Sequence, residues 1–245
     1  MLSTTLSSES PKPGTPSREP EPRPAPPPAE PLGSLSSKYE VGGRGPGTVS
    51  SGAGDAGGAS YGSYQMTSRP NGGTVTRFVG DPGFPWRDRF AGLTPGSAEF
   101  TARWKALAAE APADFFKVQH DFIERTHYDP LVKKTADEDK LDVRLRSNAL
   151  RNVVWSTAVQ HGPKTGVLHN AIGNVPQGTA PTALDGELIR AVYAERGRRG
   201  PDGSLVYFRR NSPAVQAGVA KRFVDEQRDA LRMLANETQP RVEEV

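Results

Sequence analysis

The sequence predicts a mainly α domain that carries one small β-hairpin, an α+β arrangement. Three observations predict it. Residues 1–33 are proline-rich and hold no aromatic residue, residues 42–63 have the glycine and serine content of a hairpin, and beyond about residue 95 apolar side chains recur at helical spacing between capping residues. Ten of the 23 prolines fall in residues 1–31. The run PKPGTPSREPEPRPAPPPAEP cannot bury enough apolar surface to offset the entropy of ordering it, so 1–33 reads as a disordered, polyproline-rich tail or linker. Residues 34–245 are then one domain, long enough to bury a sizeable core.

Each element has its own signal. A short helix is expected to end near Glu40, with Gly42 and Gly43 as its C-cap. Thr48–Ser51 and Ser60–Tyr64 read as short strands around a glycine turn at 52–58. Ser97 caps a helix through Ala109 whose Phe100, Trp104, Leu107 and Ala108 share a face. Pro112 opens the next helix and Asp129-Pro130 a further short one. Ser147 caps NALRNVVWSTAVQ, which Gly162-Pro163 stops. Thr182 and Asp185 read as a capping box before GELIRAVYAER. The basic run ERGRRG at 195–200 reads as a solvated loop. Ser212-Pro213 starts a last helix through about Asn236.

Composition excludes several function classes. No stretch approaches the roughly 18–20 apolar residues of a membrane span, so no membrane insertion is expected. The start MLSTTLSSESPKPG has neither the basic end nor the apolar centre of a secretory signal. There is no cysteine, hence neither a disulfide framework nor a thiolate metal site. HDFIERTH is not the HExxH of a zinc enzyme and GGRGPG lacks the ending of a phosphate loop, so no metal and no cofactor are expected. Net charge is +3. The tail's three cations and four carboxylates leave the rest of the chain at about +4. That balance suits an anionic polymer and falls short of a dedicated nucleic-acid binder.

The chemistry is concentrated in residues 39–66, YEVGGRGPGTVSSGAGDAGGASYGSYQM. Glu40 and Asp55 stand on either side of the glycine-rich segment. Glycoside hydrolysis needs such a pair: one acid protonates the leaving oxygen, and one carboxylate activates a water or stabilises the cationic sugar. The two must do opposite jobs at one pH. Glu40, after Leu35 and Tyr39 at a helix end, has apolar neighbours to shield its proton. Asp55 lies in GAGDAGG, where exposed backbone N–H groups hold a carboxylate ionised. The glycines let a sugar ring approach the backbone. Ser60 or Tyr61 is then positioned to hold the attacking water. Tyr61, Tyr64 and Gln65 complete the block as substrate-binding candidates. Trp86, in the loop DPGFPWRDRF, and His161, at the end of WSTAVQHG, join them.

The segment SSKYEVGGRGPGTVSSGAGDAGGASYGSYQM, with THYDP at 126–130 and WSTAVQHG at 155–162, resembles the lysozyme-like C-terminal domains attached to type VI secretion spike proteins and to some phage tail proteins. More distantly it is similar to bacterial chitosanases and phage-type lysozymes, which share a two-lobed fold. The resemblance covers roughly residues 34–240. It implies Glu40 as the acid, Asp55 as the second carboxylate, and Ser60 where chitosanases have a water-orienting threonine. It also implies a muramidase, cleaving the β-1,4 bond between N-acetylmuramic acid and N-acetylglucosamine, with a lean toward inversion of the product.

The net positive domain favours anionic peptidoglycan over polycationic chitosan. An aspartate partner argues for hydrolysis over the single-glutamate lytic transglycosylases. With no signal peptide expected, a substrate outside the cytoplasm requires delivery. The resemblance implies an antibacterial effector of a type VI system acting in the periplasm of a target bacterium. It would be partnered by a spike or tail component through the N-terminal tail and by an immunity protein that plugs the cleft. The alternatives are a phage tail-associated lysozyme and a non-catalytic wall-binding or structural tail module.

Overall fold

A computed structural model of the protein describes residues 31–36, 45–50, 58–69 and 73–238. The proline-rich tail through residue 30 lies outside them, as do Glu40 and Asp55. The elements run in order α1 (Ser34–Ser36), β1 (Val49–Ser50), β2 (Ser60–Tyr61), β3 (Met66–Thr67), α2 (Thr74–Gly80), α3 (Ala98–Glu110), α4 (Pro112–Ile123), α5 (Asp129–Asp139), α6 (Asn148–His161), α7 (Val167–Gly173), α8 (Leu184–Arg196) and α9 (Pro213–Thr238). A π-helical turn, Glu124–Tyr128, joins α4 to α5. The strands form one antiparallel sheet in the order β1-β2-β3. The chain is therefore mainly α with a small β element, the class its sequence predicts.

Helix α6 is the centre of the packing. Its residues Ala149, Leu150 and Asn152–Ala158 are all buried, the pattern of a helix covered on every side. Against it lie α1, α8, α9 and the π-turn. Folded packing begins before α1. Leu32 packs on the core, and the Gly33 and Leu35 N–H groups donate to the buried Asn152 Oδ1 of α6 at 2.8 and 3.4 Å. A second region of the same core is aromatic. Trp104 of α3 sits wholly buried among Tyr61, Phe78, Phe90, Phe100 and Phe115 at ring separations of 4.7–6.3 Å, so α2, α3, α4 and the hairpin meet on one indole.

The serine caps are formed. Ser97 Oγ accepts from Phe100 N–H at 3.1 Å and Ser147 Oγ from Leu150 N–H at 3.2 Å. Pro112 occupies the first turn of α4. Three expectations need correction. Thr182 and Asp185 make no capping box: α8 begins at Leu184 with no side-chain cap, because Asp185 instead accepts from Arg146 Nε at 2.7 Å and Ser147 N–H at 2.8 Å. The expected second strand, 60–64, is cut at Tyr61 by a turn with Gly62 at φ +75° and Gln65 at φ 48°, after which β3 returns. Residues 195–200 are not simply a solvated loop, because Glu195 and Arg196 are buried in the last turn of α8.

That last correction exposes the polar centre of the helical layer. Arg196 of α8 and Glu226 of α9 are both wholly buried and face each other at 3.4 Å. Arg196 Nη2 also donates to Ser156 Oγ at 3.2 Å and Gln160 Oε1 at 2.6 Å, both on α6. Ser156 Oγ in turn donates to Glu226 Oε1 at 2.7 Å. The guanidinium lies 5.0 Å from the ring centre of Tyr193 and 4.5 Å from that of Phe223. Three helices thus share one charge pair. Replacing one partner alone, Arg196→Met or Glu226→Gln, is expected to cost about 3–5 kcal/mol of unfolding free energy, read from urea denaturation. The double replacement Arg196→Met with Glu226→Leu should recover part of it, since the two facing charges are removed together while Arg222, 3.7 Å from Glu226, loses one partner.

Candidate functional site

The site region is the sheet and the face of α4 and α6 behind it. Gly62 N–H donates to Thr48 O at 2.8 Å, extending the β1–β2 pairing past its last residue. Gln65 Nε2 donates to Gly62 O at 2.9 Å and closes the turn between β2 and β3. Gly62 sits so close to α4 that a Cβ there would stand 2.2 Å from Gln119 Oε1. Glycine is therefore required both by its positive φ and by the approach.

Buried Gln119 is the splint of the region. Its Oε1 accepts from Ser63 N–H at 3.1 Å. Its Nε2 donates to Pro46 O at 3.1 Å, which also accepts from Trp104 Nε1 at 2.8 Å. One amide of α4 thus holds the chain just before β1 and just after β2. Residues 37–44, which include Glu40, lie outside the described residues. Their flanks are fixed on Asn152 of α6 on one side and on Gln119 and Trp104 on the other. Asp55, also outside, falls in sequence midway between Ser50 and Ser60, which pair across β1 and β2.

The described candidates separate. Ser60 is half-buried in β2, paired with both Ser50 and Thr67. Tyr64 is half-buried and its hydroxyl bonds His120 Nδ1 at 2.7 Å. Tyr61 is wholly buried, with its hydroxyl tied to Thr101 Oγ1 at 2.7 Å and Gly96 N–H at 3.1 Å. It therefore offers no flat face to a sugar and is a core residue, because the sheet turns that side of β2 toward Trp104. Gln65 is committed to its turn. Trp86 is half-buried against Phe84 and Phe115 at 5.8 and 5.9 Å. His161 packs on Tyr207, Phe208 and Phe223. Burial first, and Arg196 and Arg222 beside it, hold its pKa down to about 3. Gln160 is used by Arg196.

Sequence reasoning missed the groups on α4 and the π-turn. His120 stacks on Trp155 at 4.5 Å and 18°, and burial lowers its pKa, so the ring is neutral. Glu124, one turn on, opens the π-turn. Burial first, then Asp129 and Asp121, hold its carboxyl above the usual range. Inside HDFIERTHYDP these residues read as an ordinary helical run, and no spacing marks them. Among the described residues, no group of histidines and carboxylates is disposed to hold a metal ion, and no helix is long and apolar enough to cross a membrane.

Comparison with known proteins adds a family. Residues 32–227 match the family described as type VI secretion system spike protein VgrG3-like, C-terminal. The chain is also similar to the type VI secretion system spike protein VgrG3 of Vibrio cholerae serotype O1, 36% identical over 206 residues. That match covers 83% of this chain and 19% of the relative, so the chain spans about a fifth of the length of the curated relative it matches.

Two half-buried histidines weaken the fold at acid pH. His161 and His127 titrate near 3 and 4 in the fold, against about 6.5 in the unfolded chain. Between those values the unfolded chain binds more protons, so stability falls as pH drops below about 6.5 and is unaffected by these groups above it. Each histidine contributes a slope of at most about 1.4 kcal/mol per pH unit. Urea midpoints measured from pH 7 to 4 should show a shallower slope in His161→Gln than in the parent, whatever the absolute stability of the variant.

Proposed function

The chain belongs to the VgrG3-like C-terminal family of type VI secretion system spike proteins, and on that premise we propose that it is a peptidoglycan hydrolase of the muramidase type. Glu40 is the general acid that protonates the glycosidic oxygen between N-acetylmuramic acid and N-acetylglucosamine. Asp55 is the carboxylate that activates water or stabilises the developing cation. Ser60 supplies a hydroxyl for that water. The observation that carries the reading is the block 39–66. Its order of glutamate, glycine-rich segment, aspartate and SYGSYQM is matched by a hairpin whose strands pair Ser50 with Ser60, on either side of Asp55 in sequence. Tyr64, His120 and Gln119 are the fixed wall behind that hairpin.

Membership of a spike family supports delivery into a target bacterium by type VI secretion, with the periplasm as the place of action and an immunity protein as protection for the producer. Peptidoglycan as substrate is consistent with the positive charge of the domain.

Purified Glu40→Gln and Asp55→Asn chains are expected to release reducing ends from cell wall on the order of 10²–10⁴-fold more slowly than the parent, the usual scale for removing an acid or base. If both match the parent, the assignment is wrong. Mass spectrometry of the digest should show reducing N-acetylmuramic acid ends. Anhydro ends would identify a transglycosylase, and wall binding without cleavage a non-catalytic module. In cells, expression directed to the periplasm should be toxic and cytoplasmic expression should not. Toxicity independent of compartment contradicts the effector reading.

A further inference from the structure

A column of four rings runs from the core to the surface beside the hairpin. Trp155 of α6 is wholly buried at its base. His120 stacks on it, and Tyr64 lies 6.1 Å from each of the two. Phe116 closes the outer end, 6.3 Å from Tyr64 at 26° and 6.2 Å from His120 at 31°. The Tyr64 to His120 hydrogen bond pins the middle of the column. Phe115, its neighbour, enters the core, whereas Phe116 is 38% exposed. Phe116 is thus a ring presented to solvent yet backed by rigid aromatic groups.

We infer that Phe116 is a stacking platform for one N-acetylated pyranose ring of the glycan strand; this rests on the hydrolase reading above and adds a binding residue to it. The chemistry of the surroundings selects a sugar over a protein surface. The other large apolar side chains exposed among the described residues are Leu145, Val215 and Val224, none of them on α4. The next residue, Lys117, is ion-paired with Asp121 at 2.6 Å. Phe116 is thus a single exposed apolar ring outside any larger apolar patch on its helix, and this suits a pyranose, which has an apolar C–H face inside a rim of hydroxyls. A protein interface needs a contiguous patch many times larger. Tyr64, on which Phe116 rests, lies in the turn that joins β2, the strand of Ser60, to β3. An immobile aromatic group binds without losing rotamer freedom, which favours affinity.

The test is binding of chitotetraose (four β-1,4-linked N-acetylglucosamines) to the 245-residue chain carrying Glu40→Gln, which removes cleavage from the measurement. Adding Phe116→Ala should weaken binding about tenfold, the scale of one lost stack. Adding Phe116→Trp should retain or tighten it. Phe116→Leu keeps an apolar contact with Tyr64 but no flat face, and should bind as weakly as the alanine variant. Unchanged binding in Phe116→Ala, or full binding in Phe116→Leu, overturns the inference. Failure of the hydrolase reading is seen separately, as absence of glycan cleavage by the parent.

Discussion

The helical layer depends on one decision, the removal of Arg196 and Glu226 from water. A buried pair does not stabilise a fold by itself, since desolvation offsets most of the attraction. What it does is penalise every arrangement in which the two charges are not together. Ser156 and Gln160 on α6, Arg196 on α8 and Glu226 on α9 must therefore come to the same point. The ring faces of Tyr193 and Phe223 complete the cage around the guanidinium. Helix α6 is fixed in rotation by this contact, and the rest of the domain is hung on α6.

The hairpin region inherits its position from two side-chain amides. Asn152 of α6 takes the N–H groups of Gly33 and Leu35, and Gln119 of α4 takes Ser63 N–H and Pro46 O. Strands of two residues have too little pairing to be stable alone. Their geometry comes from the helices beneath, so the wall of the proposed cleft is as rigid as α4 and α6.

The helices were legible because their signals are local. Ser97, Ser147 and Pro112 mark helix starts by their own chemistry, and all three do so in the structure. The misses were settled by tertiary contacts. Helix α2, TVTRFVG, is rich in β-branched residues and has no side-chain cap, yet it forms because Val75 and Phe78 are buried. Asp185 resembles a cap in sequence and is taken instead by Arg146. Arg196 looks solvated in ERGRRG, and only its partner on another helix, thirty residues away, shows that it is not. At the candidate site, the glycine-rich hairpin was readable from composition, and its register is now fixed. Tyr61 and Tyr64 cannot be distinguished from spacing. The turn at Gly62 separates them, sending one ring into the core and the other to the column above Trp155.

The π-turn at Glu124–Tyr128 is an extra residue inserted into what would otherwise be one continuous rod from Pro112 to Asp139. Each residue of an α-helix advances the side-chain direction by about 100°. The inserted residue therefore resets the phase between the two halves. Upstream, Phe116, Gln119 and His120 face the hairpin; downstream, Leu131, Val132 and Thr135 face the core. Each half keeps the orientation its own neighbours demand. The rod acts as a coupling between two shafts set at different angles, and a change in the contacts at one end does not have to be transmitted as rotation at the other.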